Sequence, residues 1–218
     1  MNVPLRVILF ARPLVRGTVK TRLEPALGAD GALRLYEALL RYVVSVCQAA
    51  ELGPLTLAYA GDRPGAALAA LGEALGATLV SQGSGDLGDR MARALGEALE
   101  AGAWPVLLGT DLAGLKPSHL TAAAAALRAG DDYAFAPAED GGYGVVAARR
   151  LDSALFTAMP WSTPSVMKET AGRLAELGRA WTRLPTLYDI DGPEDLPRLE
   201  EHPVLGPALA TLSHVSPS

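Results

Sequence analysis

Short apolar runs alternate with longer helix-like segments along this whole chain, and that alternation restricts the fold more than any other feature. Residues 5–10, apolar apart from Arg6, and the wholly apolar 105–108 read as strands covered on both faces. Residues 54–60, 78–80, 133–137, 143–148 and 181–188 read as further strands. Helices are expected over 29–50, 65–75, 86–102 and 117–129, with Asp86 as N-cap of the third and Pro117 near the start of the fourth. Thr163 and Pro164 read as the N-cap and first residue of a helix reaching Leu177, and residues 193–201 as a short final helix. Strands alternating with crossover helices predict an α/β three-layer sandwich on a mostly parallel sheet. Residues 138–150 break the pattern, because a Gly-Gly link joins two strands directly and predicts a local antiparallel or mixed piece. At 218 residues, one domain over 1–202 is expected, with 203–218 as a loosely ordered tail.

Half of the residues are hydrophobic, enough to build a full core, and the net charge of -5 argues against broad nucleic-acid binding. The single cysteine, Cys47, lies in an apolar helical stretch and reads as a small core residue. The first ten residues hold no long apolar core with a cleavage site, so no signal peptide is expected. No apolar run approaches the roughly 20 residues of a membrane span. A cytoplasmic protein follows as the expectation, with a homo-oligomer left open.

Ligands of open α/β sheets bind beyond the carboxyl ends of the strands, so the polar residues there matter most. After the first strand comes Phe10-Ala-Arg-Pro-Leu-Val-Arg-Gly-Thr-Val-Lys-Thr-Arg-Leu-Glu24, which crowds Arg12, Arg16, Lys20 and Arg22 into a Gly- and Pro-punctuated loop. Such a loop suits phosphate, since Arg presents a flat fork of donors and Lys a mobile charge. A solvated loop whose cations pair with nearby carboxylates is the plainer alternative. The stretch lacks the spacing of a P-loop. Gly109-Thr-Asp111 follows the central apolar strand, and a carboxylate there suits a divalent cation or, more plainly, a turn. Glu139-Asp140-Gly141-Gly142-Tyr143 makes a turn whose backbone can approach a ligand closely, or an ordinary hairpin. Asp189-Ile190-Asp191 follows the last strand, and in extended backbone both carboxylates project to one side. Asp191 is the better ligand candidate; Pro193, Glu194 and Asp195 read as a helix start. A cationic loop with acids from separate strand ends is what a nucleotide–metal complex requires. His119, His202 and His214 have no catalytic or zinc spacing.

At these same residues the sequence resembles the glycosyltransferase-A-fold, nucleotide-diphospho-sugar transferase-like group known as radical SAM/selenodomain-associated transferase 1. The resemblance runs from about Arg6 to Leu199. It is carried by the basic loop, Gln82-Gly-Ser-Gly-Asp-Leu-Gly-Asp-Arg-Met91, Gly109-Thr-Asp111, Pro137-Ala-Glu-Asp-Gly-Gly-Tyr143, Trp161-Ser-Thr163 and Asp189-Ile-Asp-Gly-Pro-Glu-Asp-Leu196. It also implies kinship with molybdenum-cofactor-type nucleotidyltransferases. What the resemblance implies is a basic loop holding the nucleotide phosphates and acids holding Mg²⁺ or Mn²⁺. Carried onto this chain, Lys20 and Asp111 are the expected catalytic residues, and Asp111 and Asp191 the metal ligands. Ala11, Arg12, Gly17, Lys20 and Arg22, with Gln82, Asp86, Asp140, Gly141 and Gly142, are the expected nucleotide and phosphate contacts. Arg16 stands where related loops have proline and drops out of the set. Two departures stand out: Gly114 replaces the second acid of the family's central motif, and Gly144 replaces an aromatic.

A metal-dependent transferase using a nucleotide-activated donor follows as the expectation, first as a glycosyltransferase acting on a nucleotide-sugar and an unidentified small-molecule acceptor. The alternatives are a nucleotidyltransferase joining a nucleoside triphosphate to a phosphorylated acceptor, and a non-catalytic nucleotide-binding module.

Overall fold

The structure is a computed structural model that describes residues 3–213. Seven strands form one sheet in the order β3-β2-β1-β4-β6-β5-β7. β1 (Leu5–Ala11) pairs in parallel with β2 (Leu55–Tyr59) and with β4 (Trp104–Gly109), and β3 (Thr78–Ser81) continues the parallel edge beyond β2. β5 (Tyr133–Pro137) and β7 (Trp181–Arg183) are parallel to each other, whereas β6 (Tyr143–Ala148) runs antiparallel to both β4 and β5. The reversal has a simple cause. The turn between β5 and β6 is too short for the dozen or so residues that a parallel crossover needs.

Consecutive residues of a strand point to opposite faces, so each apolar run supplies two cores at once. Leu9 and Leu108 enter one core with Leu40, Val44 and Leu120, where α1 (Glu24–Ala50), α2 (Ala66–Ala74) and α4 (Pro117–Ala129) cover the sheet. Their neighbours Ile8 and Leu107 enter the other core with Leu95, Phe135 and Leu174, beneath α3 (Leu87–Glu100) and α5 (Val166–Glu176). This three-layer arrangement is the expected sandwich. Cys47 is buried in the first core, and burial pushes its thiol up to about 12.

Three sequence expectations are corrected by packing. The last strand is only Trp181–Arg183, because Pro185 has no N–H to give the ladder; pairing resumes as a single bridge between Leu187 and Ala138. The fifth helix begins at Val166, not at Thr163. The Thr163 hydroxyl donates to the Pro160 carbonyl at 2.7 Å and caps nothing, and Ser162 before it is left-handed at φ 61°. In place of a loose segment from 203, residues after the short α6 (Leu196–Glu200) form α7 (Leu205–Ser213), whose Leu205 and Leu209 are buried with Leu35, Leu39, Ile190 and Leu199. Residues 214–218 lie outside the described residues.

The chain runs from β1 outward to β2 and β3, then returns to place β4 on the other side of β1. That reversal is a topological switch point, and it opens a crevice where β1 and β4 end.

Candidate functional site

The crevice is a cleft of about 460 Å³ lined by Arg12, Lys20, Arg22, Tyr36, Asp111 and Asp191 among others. Its floor is a chain of hydrogen bonds between the two strand ends. The Arg12 backbone N–H donates to the Tyr36 hydroxyl at 2.8 Å, Tyr36 and Thr110 share a bond of 3.0 Å, and the Thr110 hydroxyl donates to the Phe10 carbonyl at 3.4 Å. With Thr110 donating onward, the Tyr36 proton goes to Thr110, and every member is satisfied. Burial pushes the Tyr36 phenol above its ordinary pKa, so it remains a neutral hydrogen-bonding strut.

Lys20 sits at the centre. Its Nζ donates to Asp111 Oδ2 at 2.8 Å and to Asp191 Oδ1 at 2.9 Å, with its side chain only 6% exposed. Arg22 adds a 3.2 Å contact to Asp191 Oδ2 from the solvent side. Burial alone would lower the lysine pKa; attraction to Asp111, and hydrogen bonds to both carboxylates, hold it above the ordinary value. For Asp191 burial works upward, but Lys20, then Arg22 and Arg12, hold the carboxyl below its ordinary range. The Lys20 backbone is left-handed, φ 49° and ψ 39°. For a residue with a Cβ this conformation costs about 1–2 kcal/mol, and it persists because the two ion pairs fix the side chain.

Two main-chain bonds bring the acids together across some eighty residues of sequence. Ile190 N–H donates to the Asp111 carbonyl at 3.2 Å, and Gly114 N–H donates to the Tyr188 carbonyl at 3.2 Å. Ile190 is fully buried, so its neighbours Asp189 and Asp191 share the opposite, cleft-facing side. Asp195 accepts from the Asp191 and Gly192 N–H groups at 2.8 and 2.9 Å, so the acid read as a helix start also fixes Asp191. Asp111, Asp189 and Asp191 each offer an oxygen, and these lie within 4.8 Å of one another. An all-oxygen donor set of this kind suits a hard divalent cation. The chemistry fits: two of these carboxylates already hold a cationic ammonium between them. Burial, then the charges of Asp111, Asp140 and Asp191, push the Asp189 carboxyl up to about 6.

Beyond Arg12 the crevice continues into a second cleft of about 560 Å³, which includes Ala11, Gln82 and Arg90. The Gln82 amide N–H groups donate to the Ala11 and Ala58 carbonyls at 3.3 and 2.7 Å. On the other side a pocket of about 210 Å³ shares Gly109, Asp111 and Ser162 with the central cleft and adds Asp140, Gly142, Tyr143, Trp161 and Asp189.

The remaining sequence candidates fall elsewhere. The Asp86 carboxylate accepts from the Asp89 N–H at 2.9 Å and caps α3, so that residue is engaged in a capping box. Gly17 forms a turn at φ 75°, outside the residues that line these clefts. Gly141, at φ 90°, lies so close to Pro164 that a Cβ would collide with its carbonyl oxygen; it shapes the turn whose Asp140 accepts from Gly142 N–H at 2.8 Å. Arg16 pairs with Asp30 on the surface. Glu139 is forked by Arg198, which lies 4.0 Å above the Tyr188 ring. The two departures from the family motif are packing positions here. A Cβ at Gly114 would meet Tyr188 Cδ1 at 2.6 Å, and one at Gly144 would meet Leu112 Cδ2 at 2.5 Å.

Tyr36, Thr110 and Ser162 were not among the sequence candidates. Tyr36 carries no local signal, since an aromatic on an amphipathic helix reads as core.

Among solved structures, the fold is similar to that of a candidate nucleotide-diphospho-sugar transferase from Desulfovibrio desulfuricans G20, with a TM-score of 0.84, 23% identity, and 94% of each chain covered. It is similar to glucosyl-3-phosphoglycerate synthase from Mycobacterium tuberculosis, solved with Mg²⁺ and uridine diphosphate, with a TM-score of 0.54, 16% identity, and 99% and 81% of the two chains covered. CMP:2-keto-3-deoxy-manno-octonic acid synthetase, solved with CTP, matches with a TM-score of 0.56, 13% identity, and 89% and 96% covered. These likenesses establish a glycosyltransferase-A-like fold shared by glycosyltransferases and nucleotidyltransferases. No curated protein matches the chain in sequence. The sequence profile of one bacterial family matches residues 43–163, which include Asp111, Asp140 and Trp161, and the chain belongs to that family, DUF2064, described as "Uncharacterized protein conserved in bacteria".

Proposed function

We propose that this protein is a metal-dependent transferase acting on a nucleotide-activated donor, and that the donor is a nucleotide-sugar. One observation carries the reading: carboxylates from the end of β4 and from the segment after β7 close on Lys20 of the basic loop at the mouth of a cleft that also holds Arg12 and Arg22. In this reading Arg12, Lys20 and Arg22 bind the phosphate oxygens through charge-assisted hydrogen bonds. Asp111 and Asp191, with Asp189 beside them, would hold Mg²⁺ or Mn²⁺. Once bound, the ion would supply Lewis-acid stabilisation of the departing diphosphate. Lys20 Nζ uses the same carboxylate oxygens that would hold the metal, and it is the group of the basic loop placed to meet phosphate beside them. Arg12 borders both the central cleft and the Gln82 cleft, which suits phosphates in one and base or ribose in the other. The relatives solved with uridine diphosphate and with CTP share this sheet and support a nucleotide at its carboxyl end.

The nucleotidyltransferase reading draws on the same cations and carboxylates, and products separate the two. Incubation with nucleotide-sugars and with nucleoside triphosphates in the presence of Mn²⁺ should release nucleoside diphosphate from the former and no pyrophosphate from the latter. Nucleotide binding that survives both chelation and Asp111→Ala would sink the metal-dependent reading. A thermal-shift screen of nucleotides with and without Mn²⁺ identifies the base.

A further inference from the structure

We propose that Ser162 is a ligand-contacting residue whose hydroxyl donates to a phosphate oxygen of the diphosphate in the central cleft. The identity of that ligand rests on the transferase reading; the residue itself is picked out by its backbone and its place.

Among the described residues, the non-glycine positions with a left-handed backbone are Lys20, Glu51, Ala158 and Ser162. A Cβ disfavours this region, and such strain persists only where the surrounding structure demands it. For the first three the demand is visible. Glu51 ends α1, with its N–H on the Gln48 carbonyl at 3.1 Å. Ala158 turns its carbonyl to Arg173, which also gathers the Ala154 and Thr157 carbonyls. Lys20 is held by Asp111 and Asp191. Ser162, at φ 61°, has no comparable anchor: its hydroxyl has no hydrogen-bond partner among the described residues. Glycine would fit the same backbone without strain. The chain instead keeps a hydroxyl there, on an exposed residue that borders the central cleft, the pocket of about 210 Å³ and a further cleft of about 360 Å³.

The segment around Ser162 is otherwise locked. Trp161 N–H donates to the Met159 carbonyl at 2.8 Å, and the Thr163 hydroxyl donates to the Pro160 carbonyl and lies 2.9 Å from the Ser165 hydroxyl. On either side the chain rests on glycine backbone. A Cβ at Gly88 would collide with the Phe156 carbonyl oxygen, and Met167 N–H donates to the Gly141 carbonyl at 2.8 Å. Ser162 is therefore positioned before any ligand arrives, and a contact made by a pre-ordered group costs little entropy on binding. Phosphate is the acceptor that the central cleft favours. Lys20 and Arg22 there already give hydrogen bonds to carboxylates, whereas the Ser162 hydroxyl is a neutral donor with no ion pair to break. A hydroxyl bonded to an anionic oxygen makes a short, charge-assisted contact. Asp140 and Asp189 border the 210 Å³ pocket with Ser162, yet neither receives its proton.

The test titrates the full-length protein with pyrophosphate and Mg²⁺ by calorimetry, a probe that carries the phosphates without base or sugar. Ser162→Ala removes the hydroxyl and keeps the Cβ; Ser162→Gly removes both and relaxes the backbone. Both should weaken pyrophosphate binding about tenfold, as for loss of a hydrogen bond to a charged group. The melting temperature of Ser162→Gly should nevertheless equal or exceed that of wild type, because glycine suits a positive φ. A purely structural Ser162 gives the reverse pattern, with the glycine variant binding as tightly as wild type or more so. That pattern, or wild-type affinity in the alanine variant, overturns the proposal. Lys20→Met, titrated in parallel, separates the two readings. If it weakens binding while neither Ser162 variant does, this proposal falls and the transferase reading stands. If wild type binds pyrophosphate equally well with Mg²⁺ removed by chelation, the metal-dependent reading falls and the two variants still decide the role of Ser162. A wild type that binds no pyrophosphate in either condition overturns both.

Discussion

Two ion networks lie at opposite ends of the same sheet. At the end away from the cleft, Asp152 receives Arg179 through two bonds of 2.9 and 2.7 Å and the Tyr133 hydroxyl at 3.0 Å, with Arg150 at 3.3 Å outside. One carboxylate meets more donors than it has charge, and the cleft of about 420 Å³ that borders Arg150 is lined by neither Asp152 nor Arg179. At the carboxyl end, one buried ammonium is shared by two carboxylates, a third stands within 4.8 Å, and the group borders a cleft of about 460 Å³. The first network is complete within the protein. The second has acceptor capacity left over and space in front of it. Saturation marks a structural network, and a surplus of one sign facing a cleft marks one built for a ligand.

Substitutions can break this contrast. Asp111→Ala should lower metal-dependent turnover by at least about a hundredfold, as for removal of a group that stabilises transition-state charge. Its melting temperature should hardly fall, since Lys20 keeps Asp191. Turnover within a few fold of wild type would erase the distinction. Lys20→Met should weaken nucleotide binding by about 1.5–3 kcal/mol, the worth of a charge-assisted hydrogen bond, read by calorimetry. An unchanged dissociation constant would make the basic loop a salt-bridged surface feature.

Asp152→Asn should do the opposite of Asp111→Ala, leaving nucleotide affinity intact while stability falls. A loss of about 1.5–3 kcal/mol corresponds to roughly 3–10 °C in melting temperature for a domain of this size. Its pH dependence has a definite sign. Burial alone would raise the Asp152 carboxyl, but hydrogen bonds from Arg179 and Tyr133, with the charges of Arg150 and Arg179, hold it below the ordinary range. A depressed folded value stabilises above the unfolded pKa and loses that contribution as pH falls through the folded value. The stability gap between wild type and variant should therefore be constant above roughly pH 5 and shrink below about pH 4. Denaturant titrations at several pH values check this; a gap that widens in acid would refute it. The smallest effect belongs to Arg16→Ala. Its pair with Asp30 has both side chains about two-thirds exposed, at 65% and 64%. Such pairs contribute about 0–1 kcal/mol, so stability and nucleotide affinity should stay near wild type.

Much of the architecture was legible because its causes are local. Runs that are apolar but for Arg6 made β1 and β4 buried parallel strands, Gly141 and Gly142 made β6 turn back, and Asp86 capped α3 as its sequence context indicates. Misreadings arose where distant contacts decide. Pro185 cut the last strand short, Thr163 turned its hydroxyl to Pro160, and a burial site between α1 and α6 ordered residues 205–213. No local pattern announces these.

The same division runs through the site. Sequence alone determined its chemical inventory: cations after the first strand, acids after three others, and glycine where Tyr188 and Leu112 press against the backbone. Composition and spacing encode which groups are available at the strand ends, because strand direction delivers them to one side. Only the tertiary structure decided which of them meet. Asp111 and Asp191 are eighty residues apart in sequence, and the hydrogen bond from Ile190 to the Asp111 carbonyl, with Ile190 anchored in the core, brings them onto one lysine. Arg16 was diverted to the surface, while Tyr36 was recruited from a helix face to brace the floor. Interaction energies between charges depend on distance and burial, and those two quantities exist only once the chain has folded.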